Sequence, residues 1–240
     1  MICMRKIAAL FVDEEGVYSG LEDVDVWGVN RDARMYSGPH PVVAHPPCER
    51  WGSFWKGSIR KGARRFDLGD DGGCFESALN SVRKFGGVLE HPANSRAWGW
   101  FGISTPSNKG GWELADSHGG FTCCVWQGWY GHRAPKPTWL YACLSSLPAF
   151  VWGQVKKDVY TSQFRGQYPQ NCDMLFPDKE VGGINWTCLS AGTGEKSKTP
   201  IPFRDILISI ARSVSSDNVP ATLFDMDKFV VRKTEQGVLV

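Results

Sequence analysis

Cys48 is the residue whose neighbours best equip it for chemistry. It follows His45-Pro46-Pro47, and two consecutive prolines fix the backbone and stop a central strand, so the thiol is expected at a strand edge with little freedom to retreat. The thiolate is the nucleophilic form, and Arg50, or His45 when protonated, is expected to favour it. A second polar tip, Glu90-His91-Pro92, ends the run Gly87-Val88-Leu89, and its carboxyl can hold or donate a proton. A thiolate and a carboxyl facing one flat ring suit addition to a pyrimidine. Sulfur adds to C6, the carboxyl supports protonation at N3, and C5 becomes nucleophilic towards a one-carbon donor. His45, Pro47, Arg50, Trp51 and His91 are expected around that ring. The residues His45, Cys48, Glu90 and His91 also carry zinc- or iron-type donors, but their spacing is no known ligand pattern, and no metal is assigned.

The elements needed to position these residues are legible as short apolar runs. Ile7–Val12, Val24–Val29 and Pro41–Ala44 read as strands, the last stopping abruptly at His45. From Cys74 to Phe85 the residues Phe75, Ala78, Leu79, Val82 and Phe85 recur at helical spacing, with Asp70-Asp71 before and Gly86-Gly87 after as start and stop signals. Gly87–Glu90 is then a strand. Strand, helix, strand with short connections is a right-handed βαβ unit with parallel strands. Thr122–Trp126 and Thr138–Leu144 read as further strands around a loop at 127–137, and Phe203–Val214 as an amphipathic helix begun by Pro200 and Pro202. The result is an α/β chain with a mostly parallel sheet flanked by helices and rich in loops. Ligands of such sheets sit at the C-terminal strand edge, which brings Cys48 and Glu90 together.

The chain has 240 residues, 27 basic and 25 acidic, giving a net charge of +2. A nucleic-acid partner is allowed by that balance and not demanded by it. The N-terminus lacks a small-residue cleavage site and no run is long enough to span a membrane, so a cytoplasmic location is expected. Eight cysteines without a Cys-x-x-Cys pair read as mostly buried hydrophobes in a reducing compartment. Residues 1–154 are expected to form the catalytic core, 155–215 an irregular extension whose helix packs back on it, and 216–240 a tail. The basic, aromatic stretch Arg50–Arg65 suggests a lid over nucleic acid, and His132, Arg133 and Lys136 suggest a phosphate-contacting loop. Eleven tryptophans, many beside these motifs (Trp51, Trp55, Trp98, Trp100, Trp126, Trp129 and Trp139), suggest walls for a flat base.

His45-Pro46-Pro47-Cys48 resembles the Pro-Cys nucleophile motif of DNA cytosine-5 methyltransferases, and Val88-Leu89-Glu90-His91-Pro92 resembles their Glu-Asn-Val motif, which reads Glu-Asn-Pro in several phage members. Tyr130-Gly131-His132, Lys136, Trp139-Leu140, Leu147-Pro148 and Lys196-Ser197-Lys198-Thr199 follow in the order found in a phage- and prophage-encoded subgroup. The resemblance covers residues 41–215. It implies a Rossmann-like, class I methyltransferase-like sheet in a bacterial host cytoplasm, Cys48 and Glu90 as catalytic residues, and DNA as partner. S-adenosylmethionine is the implied cofactor, with Asp13, Asp25 and Asp32 as candidate contacts, and Gln127 and Arg133 stand in for part of a Gln-x-Arg-x-Arg motif. Two departures stand out. The family's Phe-x-Gly-x-Gly loop is replaced by Phe11-Val12-Asp13-Glu14-Glu15-Gly16, and the motif asparagine by His91. Methyl transfer to C5 is therefore weighed against a hypermodifying or nucleotide-modifying enzyme with another donor, a catalytically inactive binding or anti-restriction protein, and a metal-dependent enzyme.

Overall fold

Alternation along short buried strands organises this molecule. The computed structural model describes residues 6–57, 65–132, 135–155 and 198–214. Strands β1 (Ile7–Leu10), β2 (Val24–Trp27), β3 (Val42–Ala44), β4 (Gly87–Pro92), β5 (Glu113–Leu114), β6 (Phe121–Trp126) and β7 (Pro137–Cys143) form one seven-stranded sheet in the order β2-β1-β3-β4-β7-β6-β5. Successive side chains point to opposite faces. Ala8, Leu10, Val42, Ala44 and Leu89 meet helix α1 (Cys74–Phe85) on one face, through Phe75, Ala78, Leu79 and Val82. Ile7, Ala9, Val43 and Val88 meet helix α3 (Ile201–Arg212) on the other, through Phe203, Leu207, Ile208 and Ala211. The expected βαβ unit is present: β3 and β4 pair in parallel across α1.

The sheet is mixed and not mostly parallel. β1–β2, β1–β3 and β3–β4 are parallel ladders, whereas β4–β7, β6–β7 and β5–β6 are antiparallel. The cause lies in the connection between β6 and β7. Gln127–Tyr130 is a single 3-10 turn, with no room for the crossover helix that parallel strands require. Pairing with β7 also carries β4 on to Pro92, past the expected end at Glu90. The short helix α2 (Arg96–Trp100), capped by the Ser95 hydroxyl accepting from the Ala97 N–H at 3.2 Å, has no counterpart among the elements expected from periodicity.

Two devices hold the layers in register. Asp71 accepts from the Phe75 N–H at the start of α1 and from the Trp51 indole, joining the helix to the segment after Cys48. Arg212 pairs with Asp23, and Arg204 donates to the Val17 carbonyl, so α3 is fastened to the β1–β2 connection. Helix α3 packs on the sheet through Phe203, Leu207, Ile208 and Ala211. The tail at 216–240 lies outside the described residues, as do Cys3, Cys172 and Cys188. Among the described residues, no helix is long and apolar enough to cross a membrane.

Gly87 begins β4 with φ 116°, and a Cβ there would overlap the Val42 backbone, including its carbonyl oxygen. Gly87→Ala is expected to lower stability by about 3 kcal/mol or more. Denaturant unfolding would read this as a lower midpoint at unchanged slope.

Candidate active site

The C-terminal ends of β1, β3 and β4 enclose a cavity of about 620 Å³. Its lining includes Phe11, Val12 and Asp13 after β1, His45 to Glu49 after β3, Glu90 on β4, and Tyr18, Lys136, Lys198 and Thr199. Lys136 belongs here because β7 is antiparallel: the residue before its first strand position lies at the edge where its neighbour β4 ends.

Glu90 is the centre of the polar network. It is 7% exposed; Oε2 lies 2.9 Å from the His45 Nδ1, and Oε1 accepts from the Gln127 amide at 3.0 Å. Gln127 also donates to the Thr138 hydroxyl, which donates in turn to the Lys136 carbonyl. On the far side of His45, Nε2 lies 2.8 Å from the hydroxyl of buried Tyr18. Burial alone would raise the Glu90 carboxyl, but the hydrogen bond from His45 and the charge of Lys136 outweigh it and hold the group at about 2. Glu90 is therefore an anion at neutral pH. Its partner nitrogen Nδ1 carries the shared proton, and in the neutral imidazole Nε2 accepts from Tyr18.

Cys48 sits at the exposed rim of the cavity, with its thiol turned far enough inward to lose hydration. Desolvation and the Glu90 charge push the thiol above its ordinary value, while Lys136 opposes them. The expected activation by Arg50 is not found. That guanidinium lies over the Phe66 ring, 3.3 Å from its centroid, and donates to the Trp55 carbonyl. At rest Cys48 is thus a protonated thiol beside a carboxylate.

Several expected contacts are corrected. Period-two alternation sends His91 to the face opposite Glu90. Its ring packs between Phe75 and Trp98, Nδ1 lies 2.7 Å from the Ser95 hydroxyl, and burial lowers its pKa to about 4. Although His91 borders the cavity, its imidazole is part of the core. Trp51 is 1% exposed and packs on Phe75, Trp100 and Phe101, so it supports the Cys48 segment from below and does not line the cavity. His132 is buried and closes the turn by donating its N–H to the Gln127 carbonyl. Lys136 is 6% exposed, and its ammonium donates to the Lys198 carbonyl at 2.9 Å. Neither makes a solvated phosphate-binding loop; Arg133 lies outside the described residues. No tryptophan lines the cavity among the described residues. The four residues weighed as metal ligands do not converge, because both His45 nitrogens are engaged and His91 faces away.

Tyr18 and Thr138 belong to this polar network, and the sequence does not single them out. Tyr18 lies in an irregular stretch with no periodic signal. Thr138 reads only as a strand residue until Gln127 is brought against it.

The β1 side of the cavity tests the fit of S-adenosylmethionine. A nucleoside-type cofactor on such a sheet is held through its ribose by a free carboxylate near the end of β2. Here Asp25 accepts from the Trp27 indole at 2.7 Å and from Arg31 at 2.6 Å. Asp32 caps a 3-10 turn and pairs with Arg34, away from the cavity. Glu14 is taken up by Asn30. Phe11 adopts φ 58° where a glycine would be at ease, and of these acids Asp13 alone faces the cavity. Asp25, Asp32 and Glu14 are thus engaged by local partners, and Asp13 is the candidate cofactor contact that the cavity retains.

The chain matches no family model, and neither curated proteins nor solved structures show a significant similarity to it.

The raised thiol generates a prediction. Alkylation of Cys48 by iodoacetamide, followed by peptide mass spectrometry, should be slow at neutral pH and accelerate only in the alkaline range. Glu90→Gln removes the adjacent negative charge and should shift the reactive range to lower pH. Rapid labelling of the wild-type protein at pH 6 would contradict the electrostatics described.

Proposed function

We propose that this chain is an enzyme that modifies cytosine, or another pyrimidine, in DNA through covalent addition of Cys48 to C6. The observation that carries the reading is the buried, ionised Glu90, held on both oxygens from behind, in one cavity with an accessible cysteine. A carboxylate accepts two donors side by side, which matches the amino group and protonated N3 of cytosine. Its charge stabilises the proton that N3 acquires as the adduct forms. Lys136, a buried cation on the same wall, suits the ring carbonyl oxygen. A base inside a duplex must leave the stack to reach a pocket of this kind.

The proton balance follows from the resting states. The Cys48 thiol loses a proton when sulfur attacks C6, and N3 gains one. Glu90, ionised between them, relays it, so the adduct forms with no net exchange with solvent. C5 of the adduct is then nucleophilic. A Rossmann-like, methyltransferase type of sheet belongs to this proposal, supported by the parallel half β2-β1-β3-β4, its α1 crossover and a cavity at the C-terminal edge. Methyl transfer is the simplest outcome at C5. The engaged carboxylates beside β2 favour a second reading, in which the same nucleophile serves a hypermodification or nucleotide-modifying step with a different donor.

Addition alone can be followed without any donor. In D₂O the adduct takes a deuteron at C5, and reversal releases cytosine with C5–H exchanged. The wild-type protein should catalyse this exchange in a cytosine-containing DNA strand, and Cys48→Ser and Glu90→Gln should each reduce it by about 10²-fold or more. Nucleoside mass spectrometry reads the mass gain. A folded wild-type protein that gives no exchange would favour the binding-only reading.

The exchange rate should also be nearly flat across neutral pH, because thiol plus carboxylate is the resting form between the carboxyl at about 2 and the raised thiol. A rate rising tenfold per pH unit through neutrality would show that a preformed thiolate is required.

A further inference from the structure

We infer that the turn after Cys48 and helix α2 together form a stacking platform for unpaired bases, so that the substrate strand is bound single-stranded. This rests on the reading that Cys48 attacks a pyrimidine in DNA, and it narrows the polymer to one without a paired complement at the site.

The platform is built on a buried tryptophan. The N–H groups of Trp51 and Gly52 both donate to the Cys48 carbonyl, and those of Trp55 and Gly57 donate to Gly52 and Phe54. Consecutive tight turns thus carry Phe54 outward within a few residues of the nucleophile. Phe54 is 90% exposed, an unusual position for a large ring on a chain that buries so many others. Trp51 anchors the turn, with its indole bonded to Asp71, and it also receives α2: the Arg96 N–H donates to the Trp51 carbonyl, and the Trp100 ring stands edge-on to Trp51 with centroids 5.9 Å apart. Trp100 nevertheless leaves 62% of its surface in solvent. One buried residue therefore ties α2, with its exposed Trp100, to the turn that carries exposed Phe54.

The charge around these rings selects the occupant. Arg96 lies one helical turn before Trp100 and is exposed. The Lys56 ammonium lies 5.1 Å from the Trp55 ring centroid. Exposed cations interleaved along the chain with exposed aromatic residues suit a strand whose phosphates pair with the cations while its bases stack, and stacking requires bases that are not already paired. An apolar protein partner would need neither cation. A duplex would offer the rings only its two ends, or would have to open.

The test uses the full chain carrying Cys48→Ser, so that binding is read without covalent capture. Fluorescence anisotropy would compare a labelled cytosine-containing 12-mer, single-stranded and as a duplex of the same sequence. The single strand is expected to bind at least tenfold more tightly. Phe54→Ala and Trp100→Ala should each weaken it about tenfold, and Trp100→Phe should restore most of the loss. Both side chains are exposed, so the alanine variants should keep the wild-type unfolding midpoint. Equal or tighter duplex binding, variants that bind like the parent, or no binding of either DNA would overturn the inference. So would sedimentation showing that the two variants merely break a dimer of this chain while leaving DNA affinity unchanged. If single-strand binding follows these rings but the wild-type protein gives no C5 exchange, the platform stands and the covalent reading fails. If exchange proceeds on a single strand and neither ring affects it, the platform fails and the covalent reading stands.

Discussion

A buried carboxylate is the constraint around which this molecule is arranged. Taking Glu90 out of water is costly unless every vacated hydration site finds a donor. The donors come from two strand ends: His45 follows β3, and Gln127 follows β6 and is fixed by Thr138 on β7, while Lys136, which precedes β7, adds its charge. Tyr18, from the β1–β2 connection, orients the imidazole from behind. An all-parallel sheet would have placed the start of β7 at the opposite edge. The antiparallel half therefore supplies the cation and the amide to the edge where the parallel half supplies the thiol and the carboxylate.

Much of this is legible in sequence because it depends on local pattern. Helix α1 occupies the span expected from its apolar spacing, and the two polar tips fall on the same sheet edge because the βαβ rule makes their strands parallel. What sequence does not carry is whatever depends on which way a side chain turns. Glu90 and His91 are adjacent and read as one polar tip, yet the pleat separates them onto opposite faces. Arg50 stands two residues from Cys48 and reads as its activator, but a phenylalanine ring sixteen positions onward holds the guanidinium instead. The basic loop after β6 reads as solvated; two of its residues are buried, one closing a turn and one reaching into the cavity.

The tryptophans show the same distinction. Their clustering near the motifs is real, but Trp51 and Trp98 are fully enclosed, packed beneath the site and not along it. Trp51 still bears on the site, because it anchors the turn that follows Cys48. The β1 side of the cavity differs from expectation for another reason. Asp25, Asp32 and Glu14 are taken up by local partners and Asp13 alone of these acids faces the cavity, a feature of side-chain pairing that no motif records. The Glu90 side of the cavity thus holds a connected polar network, whereas the acids beside β1 and β2 turn to local partners.

The most direct measurement is the identity of the attacking atom. A single-stranded oligonucleotide carrying a 2-pyrimidinone base, which lacks the 4-amino group and accepts thiols readily at C6, should form an adduct that survives denaturation and adds the mass of the oligonucleotide to the protein. Peptide mapping should place it on Cys48, and Cys48→Ser should abolish it. An adduct on another residue, or one that persists in the serine variant, would contradict the assignment of Cys48 as the nucleophile.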